Sequence, residues 1–188
     1  MSKVKFGLKN VHIAPFTIES DGTYTYETPF ALPGAVNLTL DPSGDSVDFH
    51  ADNTLYFSDT ANNGYEGSIE IAMINDTFRT KVLGETQDSN GAFIENKDDT
   101  TKGFAFGFQI DGDVKNRRFW YYNTTATRPS NNTQTVENSK EPRTDTLNIK
   151  AMPRLSDGKV RAFLEESATN TTAYNNFFES VYEQASSV

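Results

Sequence analysis

The chain has 188 residues, a formal net charge of −9 and an isoelectric point near 4.7, and it contains no cysteine. That length suits one compact domain, or one domain with an appendage, and can bury a sizeable core. The missing thiols exclude a disulfide framework and thiol-ligated zinc, and the acidic balance argues against a sequence-specific nucleic-acid binder, which carries a basic face.

The chain begins as a strand. Val4, Phe6 and Leu8 alternate with Lys3, Lys5 and Lys9. The apolar parity then moves to Val11 and Ile13, which predicts a bulge near Asn10. This charged start lacks the apolar run of a signal peptide, and no stretch approaches the roughly 20 apolar residues of a membrane helix. A soluble protein made in a cytoplasm, with no membrane partner, is therefore expected.

Further strands follow. Val36, Leu38 and Leu40 alternate with Asn37, Thr39 and Asp41. Val47, Phe49, Ala51, Leu55 and Phe57 share a parity opposed to Asp48, His50 and Asp52, so the apolar row is expected to face the core and the acidic row to face away. Pro42-Ser-Gly44 and Asn62-Asn-Gly64 are polar turns, and between them the segment from Asp41 to Gly64 reads as a protruding hairpin. Ile69, Ile71 and Met73 form the next alternating set. Asn75 or Asp76 then caps a short helix bearing Ile74, Phe78 and Val82 on one stripe, and Gly84 stops it.

The clearest strand holds Phe104, Phe106, Phe108 and Ile110. It turns at Asp111-Gly112-Asp113 and returns from Arg118 to Asn123 as a hairpin. The span 127–142 is polar and reads as a long loop between good strands. Leu147, Ile149 and Ala151 form one more strand, and Val160, Ala162 and Leu164 another after the turn Ser156-Asp157-Gly158. Tyr174, Phe177, Phe178, Val181 and Tyr182 repeat at helical spacing, which predicts an amphipathic C-terminal helix. The expected architecture is mainly β: two packed antiparallel sheets, a sandwich or barrel, with one flanking internal helix. Residues 1–165 make the β domain and 166–188 a helical extension.

Chemistry is sparse. Two histidines, His12 and His50, leave few nucleophile–base arrangements, and neither a nucleophile elbow, a phosphate-binding loop nor a zinc-protease motif occurs. No catalytic residue, cofactor or metal is expected. Asp48, His50 and Asp52, at i, i+2 and i+4 of a strand, could ligate a cation, but a solvated strand face explains them as well. Arg117, Arg118, Trp120, Tyr121 and Tyr122 form a basic and aromatic cluster. Period-two geometry splits it across two faces, so packing or a protein interface suits it better than stacking on single-stranded nucleic acid. Long alternating strands leave unpaired edges, which favours self-assembly.

Several segments resemble a known family. Lys115-Asn-Arg-Arg-Phe-Trp-Tyr-Tyr-Asn-Thr-Thr-Ala-Thr-Arg-Pro129 is similar to the hallmark strand of major tail proteins from siphophages of Gram-positive bacteria. Thr144-Asp-Thr-Leu-Asn-Ile-Lys-Ala-Met-Pro-Arg154 resembles the strand after that family's polar loop. Pro33-Gly-Ala-Val-Asn-Leu-Thr-Leu40 and Ala51-Asp-Asn-Thr-Leu-Tyr-Phe57 resemble its early strands. The likeness spans residues 1–165. It implies a tail-tube fold and hexameric rings that stack into a hollow tube. The partners it implies are other copies of the chain, a tape-measure protein, a tail terminator, distal tail or baseplate proteins, and double-stranded DNA that passes without specific binding. It carries no catalytic residues. Asp48, His50 and Asp52 are candidates for the lumen or a ring joint, and Arg118, Trp120, Tyr121 and Tyr122 for an interface or the core. A tube or terminator protein of the same fold, or a carbohydrate-binding β-sandwich using Trp120, Tyr121 and Tyr122, are the alternatives.

Overall fold

The structure, a computed structural model, describes residues 7–130 and 143–185. It is mainly β, with 46% strand and 10% helix. The strands are β1 (Gly7–Ile18), β2 (Tyr24–Tyr26), β3 (Phe30–Ala31), β4 (Ala35–Pro42), β5 (Ser46–Ala51), β6 (Thr54–Thr60), β7 (Tyr65–Ile71), β8 (Thr86–Gln87), β9 (Phe93–Ile94), β10 (Phe104–Asp111), β11 (Arg118–Ala126), β12 (Asp145–Met152) and β13 (Arg161–Leu164). Two short helices are α1 (Asp76–Phe78), continued by a π-helical turn over Arg79–Leu83, and α2 (Thr171–Asn175), continued by a 3₁₀ turn over Asn176–Phe178. Among the described residues no helix is long and apolar enough to cross a membrane.

Nine strands form one antiparallel sheet in the order β2-β1-β10-β11-β12-β7-β4, with β3 on β1 and β13 on β11. The far edge of β11 is shared: Arg118–Tyr121 pair with β13, and Asn123–Ala126 pair with β12. The inward side chains of strands from both ends of this order meet in one cluster, including Ile13, Phe106, Tyr121, Leu147 and Ile69. A flat sheet could not bring them together, so this one curls over on itself and β4 comes back beside β1. The two layers expected from the sequence are thus two halves of one sheet. Phe78, Val82 and Leu83 of the helical turn complete the cluster.

Local signals hold at several points. Asn10 takes a left-handed φ of 53°, and the β1–β10 register shifts between Lys9 and His12, where the parity changes. Asn75 caps α1, its side chain accepting from the Phe78 N–H at 2.9 Å, and Gly84 closes the turn at φ 82°. Strand β12 alternates buried Leu147, Ile149 and Ala151 with exposed Thr146, Asn148 and Lys150.

Two expectations fail. The C-terminal helix ends at Phe178; Val181 and Tyr182 continue as irregular chain, yet Val181 is buried. The apolar row of β5 and β6 does not meet the core: Phe49, Leu55 and Phe57 are each more than half exposed. Val4 and Phe6 lie outside the described residues, as does most of the polar span 127–142.

Candidate functional site

Two features stand out from the curled sheet: an arm that leaves it and a segment strapped across its outer face. The arm grows from the β4–β7 pair. Beyond the last rung, Pro42 with Tyr65, the ribbon continues through Ser43 N–H to Gly64 O at 2.8 Å, Asn63 N–H to Ser43 O at 2.9 Å and Ala61 N–H to Asp45 O at 3.0 Å. Strands β5 and β6 then pair from Ser46–Thr60 to Ala51–Thr54. Asp52 and Asn53 close the tip, both with left-handed φ, as a two-residue hairpin turn requires. At about 3.3 Å per residue the arm reaches roughly 30 Å past Pro42. Its base is tight: Gly64 has φ 100°, and a Cβ there would lie 2.0 Å from the Ala151 carbonyl oxygen.

Among the described residues no layer packs on the arm. Tyr56 is 77% exposed, and Phe49 meets it edge-on with ring centroids 6.4 Å apart. An isolated two-stranded ribbon is marginal in water, and a cluster of exposed aromatic rings marks an interaction surface. Residues 43–64 carry four aspartates and neither lysine nor arginine, so the surface is acidic as well as apolar.

Asp48, His50 and Asp52 all lie on this arm, but they do not form one row. The register shifts between Phe49 and His50, strand β5 ends at Ala51, and Asp52 belongs to the turn. The Ser58 hydroxyl donates to Asp48 Oδ1 at 2.6 Å. Nor is there a core for these side chains to face away from, because the opposing Phe49 faces solvent. Among the described residues no group of three or more His, Asp or Glu side chains stands close enough to share a metal ion.

The second feature involves the aromatic strand β11. Its side chains divide by parity. Phe119 and Tyr121 point into the core of the curled sheet, while Trp120 and Tyr122 point outward into a second cluster with Ala14, Ala105, Phe177 and Val181. Residues 171–183 form a strap over that outer face. Three β11 side chains in period-two register hold it by its backbone: Arg118 donates to Tyr174 O, Trp120 Nε1 to Phe177 O at 2.7 Å, and the Tyr122 hydroxyl to Tyr182 O at 2.8 Å. The Arg118 guanidinium also sits 4.0 Å from the Tyr174 ring centre, and His12 stacks on Phe178 at 4.5 Å. Trp120, Tyr121 and Tyr122 are at most 3% exposed, so they offer no ring face to a sugar. The carbohydrate-binding alternative loses the residues that suggested it.

The far end of the strap is tied by ions. Arg154, buried on the turn after β12, makes a bidentate pair with Asp157 and a second with Glu183, and its guanidinium lies 4.6 Å from the Tyr122 ring centre. Burial pushes the Tyr26 hydroxyl up to about 12 and raises Tyr122 as well. The hydrogen bond from Arg154 holds the Asp157 carboxyl well below the usual carboxylate range. A depressed carboxylate stabilises the fold above its unfolded value, near 4, and that contribution is lost as pH falls through the lowered folded value. The stability gap between the native protein and Asp157→Asn is therefore expected to shrink as pH falls from about 6 to about 2. Urea unfolding across that range measures it, and a constant gap would contradict the contribution of this pair.

No protein-family model and no curated protein matches the chain.

Proposed function

We propose that this chain is the subunit of a phage tail tube, assembling with copies of itself into stacked hexameric rings. The observation that supports this best is the arm: a long ribbon with exposed Phe49, Leu55, Tyr56 and Phe57 and no partner layer among the described residues. A protomer that spends that much apolar surface on a projection gains from burying it against another copy. The sheet supplies the second condition, because its strand order is open: β4 folds back beside β1, and β2, at the other end, is where a neighbour's strand would add. In this reading the arm carries Asp48, His50 and Asp52 to the joint between rings. The other partners are the tape-measure protein, the tail terminator and the distal tail proteins, and DNA crosses an acidic bore without being bound. The activity is mechanical, and the place of action is the virion tail.

Negative-stain electron microscopy of the purified protein tests the proposal. Long regular tubes of uniform width are expected. Particles that never elongate at any concentration would remove it, and isolated rings alone would favour a terminator of the same fold. Salt dependence gives a second expectation. Like charges crowded at a ring joint repel, and salt screens them over a Debye length of about 8 Å at physiological strength. The double variant Asp48→Asn/Asp52→Asn is therefore expected to assemble at lower salt than the native protein. Light scattering against salt concentration reads this, and identical curves would take these two carboxylates out of the joint.

A further inference from the structure

The strap differs from the elements around it. Strand β13 joins the sheet by a ladder of main-chain pairs, but residues 171–183 join none. They are held as a bound peptide would be: side chains of a rigid strand donate to their carbonyls, and Tyr174, Phe177 and Val181 fill apolar sites beneath. The groove on β11 is thus a peptide site, and its ligand here is the chain's own C-terminal segment.

The connection to that ligand is held far less firmly. Residues 165–170 form the hinge. They are tied to the sheet by the ion pair of Lys115 with Glu165 at 2.8 Å, whose side chains are 59% and 39% exposed, by the Glu166 N–H to Lys115 O bond at 3.0 Å and by an exposed bond from Asn116 Nδ2 to Glu166 at 2.5 Å. Among themselves they are tied by Asn170 Nδ2 to Glu165 O at 2.8 Å and Ser167 N–H to Asn170 Oδ1 at 3.0 Å. An exposed pair of this kind contributes little. Six residues of extended chain span about 20 Å, so exchange requires a neighbour's groove to open within that distance of Leu164. The contacts between strap and groove are the same whether one copy or two supply them. The two arrangements therefore differ only by the weak hinge contacts and the entropy of association. In an assembly the second term falls, because a neighbour's strap is present at high effective concentration.

We propose that residues 171–183 exchange between copies, each β11 groove taking the strap of a neighbouring protomer when the chain assembles. The occupant is a second copy because every copy carries the one segment for which the groove is already shaped. The exchange would tie neighbours together through Trp120 and Tyr122, side chains buried within the protomer. The inference needs self-association but no particular particle shape, so it can stand if the tube reading falls.

The absence of cysteine makes the test direct. Thr28 and Ser180 are exposed and line one shallow hollow beside the strap. The full-length variant T28C/S180C is treated with a short bis-maleimide at concentrations where the native protein assembles, then run on a denaturing gel. Exchange joins Thr28→Cys of one chain to Ser180→Cys of the next and yields a ladder of covalent dimers and higher multimers. A closed strap joins the two within one chain and yields a looped monomer alone. The ladder is expected to hold most of the assembled protein. Looped monomer alone overturns the proposal, whether the sample is assembled or stays monomeric at every concentration. The pair H12C/F178C, at the stacked rings, repeats the test should the first variant fail to assemble. Microscopy on the same samples separates the two ideas: a ladder without tubes keeps the exchange and removes the tube, and tubes with only looped monomer do the reverse.

Discussion

Replacing Trp120 with alanine is expected to destabilise the protein by about 3–5 kcal/mol, the range found when a fully buried aromatic ring is deleted. Trp120 is 0% exposed and is the only tryptophan of the chain. Its ring lies between the sheet and the strap, with Phe178 edge-on at 5.8 Å above it. Below it is Gly107, where even a Cβ would stand 2.8 Å from the indole. Its Nε1–H donates to the Phe177 carbonyl, so alanine opens a cavity and also leaves that buried oxygen without its donor. Trp120→Phe keeps most of the packing and loses the hydrogen bond, so a smaller cost of about 1–2 kcal/mol is expected. Urea unfolding followed by far-ultraviolet circular dichroism distinguishes them. A loss below about 1 kcal/mol for Trp120→Ala would mean that the strap adds little to the fold.

Shortening the arm is expected to do the opposite, leaving the fold intact and abolishing assembly. The variant removes residues 46–60 and joins Asp45 to Ala61 through Asn-Gly, which suits a two-residue hairpin turn. No described residue between 43 and 64 belongs to either buried cluster, so stability is expected to change by less than about 1 kcal/mol. The assembly loses Phe49, Leu55, Tyr56 and Phe57 at once. On the tube reading the shortened protein remains a folded monomer, and microscopy shows no tubes. Normal tubes from this variant would mean that rings stack through some other surface.

The two experiments probe surfaces that look alike in the sequence, and the difference between them shows where local pattern stops being informative. Strands β10, β11 and β12 are legible because each meets a core on at least one face, and burial imposes the period of two. The bulge at Asn10 is legible for the same reason, since a change of apolar parity cannot occur without an extra residue. The cap at Asn75 and the stop at Gly84 follow from the chemistry of the backbone groups they satisfy. All of these are local relations between a residue and its near neighbours in the chain.

Alternation in β5 has the same form and a different cause. Phe49 and Phe57 pair across a ribbon on which no described layer packs, and period two cannot say whether a partner layer exists. The C-terminal segment shows a related limit. Tyr174, Phe177 and Val181 are buried at the spacing of a helix, yet the helix stops at Phe178. The carbonyls of Tyr174 and Phe177, near the end of the helical turns, accept from Arg118 and Trp120, more than 50 residues away. The sequence by itself determined a mainly β chain, its principal strands, its capped turn and the division of the aromatic strand between two faces. The protruding hairpin was legible too, but only the tertiary structure decided that the sheet curls onto itself, that the apolar row of that hairpin meets no core, and that a strap covers Trp120. Those outcomes depend on which distant surface meets each face, and a residue's chain neighbours carry no record of that.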